Sequence, residues 1–203
     1  MKRVIAYIDG LNLYFGLRSK GWKRFYWLNL QQVSRHLLMP HQTLVMSRYF
    51  TTRVSFPLDK QRRQSTFLEA LGTLPDFHIH FGHYLAEPIT CRNCGHTYTT
   101  HHEKMTDVNI AVELLTDAFQ DTFDVALLIS ANGDLVGPIK KVKQLFPEKR
   151  VVVVFPPKRH SSALKKVADA CLHLNHAVLA RSVFSDTVVK ADGFILRRPA
   201  AWR

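Results

Sequence analysis

The sequence predicts an α/β protein whose mainly parallel central sheet is covered by helices on both faces. Three observations carry that expectation. Val4–Ile8, Phe123–Ile129 and Arg150–Phe155 are short, almost wholly apolar runs, the composition of parallel strands buried on both sides. Helical patterns separate them, and alternation of strand and helix builds a parallel sheet. At 203 residues with no internal repeat or linker, the chain reads as one domain of the doubly wound size class.

The first strand, Val4-Ile5-Ala6-Tyr7-Ile8, runs into Asp9-Gly10-Leu11-Asn12. A carboxylate there lies at the carboxyl end of a strand, where open parallel sheets line their ligand crevice. The plainer reading is a turn, with Asp9 capping the next helix. Leu11, Leu13, Tyr14 and Leu17 repeat at helical spacing, and Gly21 closes that helix. Lys20 to Trp27 then interleaves Lys20, Lys23 and Arg24 with Trp22, Phe25, Tyr26 and Trp27. Cations bind phosphates and flat rings stack on bases, so this is a candidate single-strand-binding lip; alternatively its rings complete the core.

A short helix spans Leu30 to Leu38, and Thr43 to Val54 is the second strand. A helix opens at Pro57-Leu58-Asp59, with Lys60, Arg62 and Arg63 outside and Phe67, Leu68 and Leu71 inside. Phe77 to Leu85 alternates as a third strand, placing His78 and His80 on one face of a partly solvated edge and not on a metal. Residues 88–102 follow neither period and read as an insertion. Within it Cys91-Arg-Asn-Cys94-Gly has the shape of a zinc knuckle, and His96 with His101 or His102 would complete a tetrahedral site.

Glu103 to Phe119 reads as the longest helix, with Val108, Ala111, Val112, Leu115 and Phe119 as its apolar stripe and Ile110 and Leu114 widening it. Asp107 lies beside that stripe, while Glu113 and Asp117 read as solvated or salt-bridged. The Phe123–Ile129 strand ends in Ser130-Ala131-Asn132-Gly133-Asp134, a second acid-bearing loop. A helix from Leu135 to Phe146 shows Lys140, Lys141 and Lys143 outside. After the Arg150 strand come a basic loop with Lys158 and Arg159, a helix from Leu164 to Leu172 with a core thiol at Cys171, and a last strand at Ala177–Leu179. Residues 186–203 read as a basic tail.

Composition narrows the function. Lys and Arg number 28 against 16 Asp and Glu, a formal net charge of +12, which favours polyanionic partners, nucleic acid first. No run approaches the about 20 apolar residues of a membrane span, and no basic amphipathic helix points to a membrane surface. Met1-Lys2-Arg3 leads directly into the first strand, unlike a signal peptide. Three cysteines, two of them in the Cys-x-x-Cys pair, point to the cytoplasm and away from a disulfide framework. A homodimer stays open, since nothing in the sequence marks an interface.

If the first strand and the Phe123 strand are neighbours where strand order reverses, Asp9 and Asp134 meet across one crevice and Asp107 enters on its helix. Clustered carboxylates repel and resist burial; a divalent cation relieves both, and oxygen-only ligation favours Mg²⁺ or Mn²⁺. Such an ion activates water against a phosphodiester. An acidic pit on a basic protein is thus the charge pattern of a metal-dependent nuclease. A nucleotide-binding or phosphatase domain is the weaker expectation, since no Gly-rich phosphate cradle follows Asp9.

Ile8-Asp9-Gly10-Leu11-Asn12, Lys104-Met105-Thr106-Asp107 and Ser130-Ala131-Asn132-Gly133-Asp134-Leu135 together resemble the successive motifs of the NYN domain, a branch of the PIN-like nucleases. The ending Arg198-Pro-Ala-Ala-Trp202 is similar to tails of bacterial members. The resemblance implies a Rossmann-like three-layer sandwich, carboxylate-held Mg²⁺ or Mn²⁺, and RNA as substrate. By position it makes Asp9, Asp107 and Asp134 the metal acids, has Asn12 and Ser130 orient water or phosphate, and sets Lys104 near substrate. The third motif of the family usually reads Ser-Gly-Asp-x-Asp-Phe, so Asn132 stands here in place of an acid. That exchange keeps a second class in view, a non-catalytic RNA-binding or adaptor module on the same fold.

Overall fold

The computed structural model describes residues 1–203, except for the side chains of Ala86, His101 and His102. The elements alternate as expected: β1 (Lys2–Asp9), α1 (Gly10–Ser19), α2 (Leu30–Arg35), β2 (Gln42–Thr52), α3 (Leu58–Leu71), β3 (Phe77–Thr90), β4 (Thr97–Lys104), α4 (Thr106–Phe119), β5 (Val125–Ile129), α5 (Val136–Leu145), β6 (Arg150–Phe155), α6 (Ser162–Val167), β7 (Ala170–His173) and α7 (His176–Ala180). Seven strands form one sheet in the order β4-β3-β2-β1-β5-β6-β7. All neighbours run parallel save β3 and β4.

β1 lies at the centre, with β2 on one side and β5 on the other. The sheet therefore reverses its winding there, and the ends of β1 and β5 come together: Val4 pairs with Val125 and Ile8 with Ile129. Alternation along β1 feeds both cores. Val4, Ala6 and Ile8 pack with Leu13 and Leu17 of α1 and Leu68 and Leu71 of α3. Ile5 and Tyr7 pack with Ile110 and Leu114 of α4 and Ile139 and Val142 of α5. Helices thus cover both faces, giving three layers.

Several sequence expectations need correction. The 88–102 segment is not an irregular insertion. β3 continues to Thr90, and residues 97–104 return antiparallel, so the cysteine loop is the tip of a hairpin. Near the tip, residues 87–90 and 97–99 are exposed on both faces, which erases the alternation that marks a half-buried strand. Glu103 belongs to β4, which ends at Lys104, and α4 begins only at Thr106. The apolar stripe read on α4 is largely exposed at Val108, Val112 and Phe119; the buried ridge is Ile110, Leu114, Asp117 and Ala118. Leu164–Leu172 is not one helix: α6 stops at Val167 and β7 pairs with β6, carrying the partly buried Cys171. Ala177–Leu179 lies in α7, a short helix capped by the Asn175 side chain. β3 is not an edge strand, and its His80 is half-buried and stacked on Phe50. The 186–203 segment is no loose tail. β8 (Thr187–Val189) and β9 (Ile195–Arg197) pair, Leu196 is buried with Trp27 and Ala70, and Trp202 packs on that cluster.

The Lys20–Trp27 lip divides between its two readings. Phe25 and Trp27 are buried in the core, while Lys20, Lys23 and Arg24 face solvent.

Candidate active site

Where β1 and β5 end, the chain leaves the sheet on adjacent strands, and a small cavity of about 140 Å³ opens above them. Asp9, Asn12, Glu103, Asp107, Asn132 and Arg159 supply its polar walls. Asp9 is only 4% exposed and caps α1, its Oδ1 accepting the Asn12 amide at 2.9 Å. Its Oδ2 accepts the Ser130 hydroxyl at 2.8 Å. Ser130 Oγ in turn accepts the Asn132 amide at 3.0 Å, and Asn12 Oδ1 accepts the Ala131 amide at 3.2 Å. Asn12 and Ser130 thus fix the Asp9 carboxylate and tie the two strand ends together. Gly10 is required beside it, since a Cβ there would stand 2.6 Å from the Tyr49 hydroxyl and 2.7 Å from the Phe50 carbonyl.

Burial pushes the Asp9 carboxyl up to about 6; the two hydrogen bonds oppose the rise, and the charges of Asp107 and Glu103 add to it. Asp107, in the first turn of α4, is also raised by burial, with Glu103 and Asp134 contributing and a hydrogen bond to the Asn132 side chain opposing. Both α1 and α4 point their N-termini into this pit, so backbone N–H groups and helix dipoles favour anions there.

Glu103 is the acid that sequence reading missed. Its Oε1 accepts the Thr106 amide at 3.0 Å, the Thr106 hydroxyl, and the Thr52 hydroxyl at 3.3 Å. It thereby serves α4 much as Asp9 serves α1. The spacing Glu103-x-x-Thr106 just before an apolar periodic run was the available signal, masked by reading Glu103 as the first helical residue. Gly82 admits it: a Cβ there would meet the Lys104 carbonyl at 2.5 Å and Glu103 Oε1 at 2.8 Å.

The expected trio of acids is therefore rearranged. Asp9 and Asp107 line the pit, Glu103 joins them, and Asp134 is exposed on its rim in the short turn after Asn132. Of the basic residues, Arg159 lines the pit and places its guanidinium 6.0 Å from the Phe15 ring. The Pro156–Arg159 turn that presents it is held by the Arg159 amide on the Pro156 carbonyl, with Lys158 at φ 58°. Lys104 and Lys158 are exposed nearby in the chain, whereas Lys23 and Arg24 stand at the Lys20–Trp27 lip and not in the pit.

Among the described residues no three His, Cys, Asp or Glu side chains converge closely enough to enclose a metal ion. The donor set still suits a hard divalent ion, which commonly uses one or two carboxylates and completes its shell with water and phosphate. Asp9 supplies the structural reason, since among the described residues its buried carboxylate receives only neutral donors.

At the hairpin tip, Cys91 and Cys94 are free thiols. The Cys91 amide bonds the His96 carbonyl at 2.8 Å, and Gly95, at φ 70°, returns its amide to the Cys91 carbonyl. Backbone N–H groups of Cys94 and Asn93 and the Cys94 thiol hold the Cys91 thiol below its ordinary value. His96 is exposed, and the side chains of His101 and His102 lie outside the described residues.

Fold and pit together define a three-layer α/β protein with carboxylates gathered at the switch point of a mainly parallel sheet. The NYN domain profile matches residues 3–175, and the chain belongs to the NYN domain family. The fold of that family is nuclease-like and RNA-related. A solved structure of a protein of unknown function from Vibrio parahaemolyticus superposes with a TM-score of 0.57 at 19% identity, covering 86% of this chain and 94% of that one. At that identity the likeness shows the fold. No curated protein matches the chain. Among the described residues no helix is long and apolar enough to cross a membrane.

Proposed function

We propose that the protein is a ribonuclease that hydrolyses RNA phosphodiester bonds with Mg²⁺ or Mn²⁺ held at Asp9 and Asp107, with Glu103 beside them and Asp134 at the rim. The observation that carries this reading is the buried Asp9 carboxylate, which has no cationic partner among the described residues and faces two more acids. When bound, the divalent ion supplies an activated water and offsets phosphate charge. Asn12 and Ser130 hold Asp9 in place, and Asn132 steadies Asp107. Arg159 and the N-termini of α1 and α4 draw the scissile phosphate toward the pit. Lys104, Lys158, Lys23 and Arg24 attract the flanking phosphates, consistent with the net charge of +12. A cytoplasmic location fits this substrate.

Cleavage of a labelled single-stranded RNA, titrated with Mn²⁺ and repeated in excess chelator, tests the proposal. Turnover that follows the metal supports it; equal turnover in chelator refutes it. Asn132, neutral where the family carries an acid, favours the second reading of a non-catalytic RNA-binding module. That reading requires salt-sensitive RNA binding without turnover at any metal concentration.

Zinc at the Cys91–Cys94 knuckle is a separate part of the proposal, supported by the amides aimed at the Cys91 sulfur. Metal analysis of protein purified under reductant, beside Cys91→Ser/Cys94→Ser, tests it. Zinc present in the parent and lost in the variant is expected; no zinc in the parent contradicts it.

A further inference from the structure

Beside the acidic pit lies a second, larger cavity of about 610 Å³, within the range of about 300–1,000 Å³ typical of ligand clefts. It is bounded by α1, the Lys23–Tyr26 turn, the end of β2, α3 and the last turn of the chain. Its walls are aromatic, including Tyr14, Tyr26, Tyr49, Phe56, Phe67 and Trp202. Arg18, Lys23, Lys60 and Arg63 stand around it, and among the described residues no carboxylate lines it. The two cavities share Leu11 and Phe15 as walls. A hydrogen bond also joins them, from Thr52 of the aromatic cavity to Glu103 of the pit at 3.3 Å.

We infer that this cavity receives the unstacked bases of a single-stranded RNA whose neighbouring phosphate lies in the acidic pit. Four features support this occupant. Rings of Tyr14 and Phe56 are exposed at the cavity, Phe56 by 81%, and aromatic faces held out to solvent beside cations suit base stacking on a charged strand. Surrounding cations complement a phosphodiester backbone, while the acids stand in the neighbouring pit. A paired base must first unpair and unstack, which costs free energy, so the cavity favours single strands over duplex. Finally, the Trp202 wall lies beyond the family match, which ends at residue 175. The C-terminal segment, folded back over Phe67 and Tyr26, adds the Trp202 ring to this wall.

This inference rests on RNA being the ligand, and its test separates base binding from cleavage. Fluorescence anisotropy in chelator would compare a labelled single-stranded RNA with the same strand carrying an abasic site at each position in turn. The proteins are the parent, Tyr14→Ala/Phe56→Ala and Tyr14→Phe. Loss of the two rings is expected to weaken binding of the intact strand about tenfold. Abasic substitution at one or two adjacent positions should cost the parent a similar factor and the double variant almost nothing. Tyr14→Phe should bind as the parent does, which separates loss of the ring from general damage. Unchanged affinity in the double variant, or an RNA duplex bound as tightly as the single strand, overturns the inference. So does a mononucleotide bound as tightly as the strand, since it would make the occupant a free nucleotide. If ring-dependent binding holds while Mn²⁺ elicits no cleavage, the base cavity stands and the nuclease reading falls. Metal-dependent cleavage with ring-independent binding gives the reverse.

Discussion

Two buried aspartates, Asp9 at the end of β1 and Asp117 on α4, face opposite fates. Asp117 is 1% exposed, yet it is fully matched. Tyr7 donates its hydroxyl at 2.6 Å, and Arg48 donates Nε at 2.8 Å and Nη2 at 2.7 Å. Arg48 also reaches Glu113 at 2.9 Å. Asp9 is nearly as buried but has only an amide and a serine hydroxyl, with Asp107 and Glu103 adding like charge. A buried carboxylate with a resident arginine is part of the scaffold. One that, among the described residues, has neutral donors alone keeps a charge that no resident cation contacts, and that is the state a visiting cation corrects.

The strongest way to break the contrast is to remove the resident cation. Arg48→Met leaves Asp117 buried without its partner and is expected to cost about 3–5 kcal/mol of stability, read by urea denaturation. Asp9→Asn should act in the opposite sense. Taking the rise of the Asp9 carboxyl from 3.8 to about 6, the charged form costs the fold about 3 kcal/mol at neutral pH. The variant should accordingly be more stable than the parent in chelator, while its cleavage falls by more than about 100-fold. An unfolding midpoint that collapses in Asp9→Asn would assign that carboxylate to the scaffold.

The same shift sets a pH dependence. Because the folded chain holds the Asp9 proton more tightly than the unfolded chain, this group favours the fold most below about pH 4. That contribution is lost as pH rises through 6. In metal-free buffer the parent should therefore lose about 3 kcal/mol relative to Asp9→Asn between pH 4 and 7, measured as the difference between two denaturation series. A flat difference would contradict the burial argument.

Smaller effects sharpen the picture. Asn132→Asp restores an acid beside Asp107 and should tighten Mn²⁺ binding about tenfold, measured by calorimetry, with lower stability in chelator. Cys91→Ser/Cys94→Ser in metal-free protein lies on an exposed hairpin tip and should move stability by less than about 0.5 kcal/mol.

Continuous apolar runs make the central strands legible: β5 is apolar throughout, and β1 and β6 are apolar inside their charged ends, while the sequence leaves the pairing of β1 with β5 as a condition. Asp9 was legible too, because an acid ending an apolar strand has few other places to go. Weak patterns misled. β4 carries Thr97, Tyr98 and Thr99 all exposed, so no alternation announces it, and Glu103 reads as part of the following helix. The short segments after Arg159 were settled by pairing and capping: β7 forms because β6 offers an open edge, and α7 because Asn175 caps it. The α4 stripe differs from the sequence pattern because the partly buried Arg48 pairs with Asp117 and Glu113 on the sheet-facing side, leaving Val108, Val112 and Phe119 outward. An ion pair buried beneath a helix leaves no apolar signature.

The most direct measurement is Mn²⁺-titrated cleavage of one labelled single-stranded RNA by the parent and by Asp9→Asn, with RNA affinity of both measured in parallel. The account predicts turnover that rises with Mn²⁺ in the parent, vanishes in chelator, and is absent from a variant that still binds the strand. Cleavage of equal rate in chelator, or in Asp9→Asn, would contradict it.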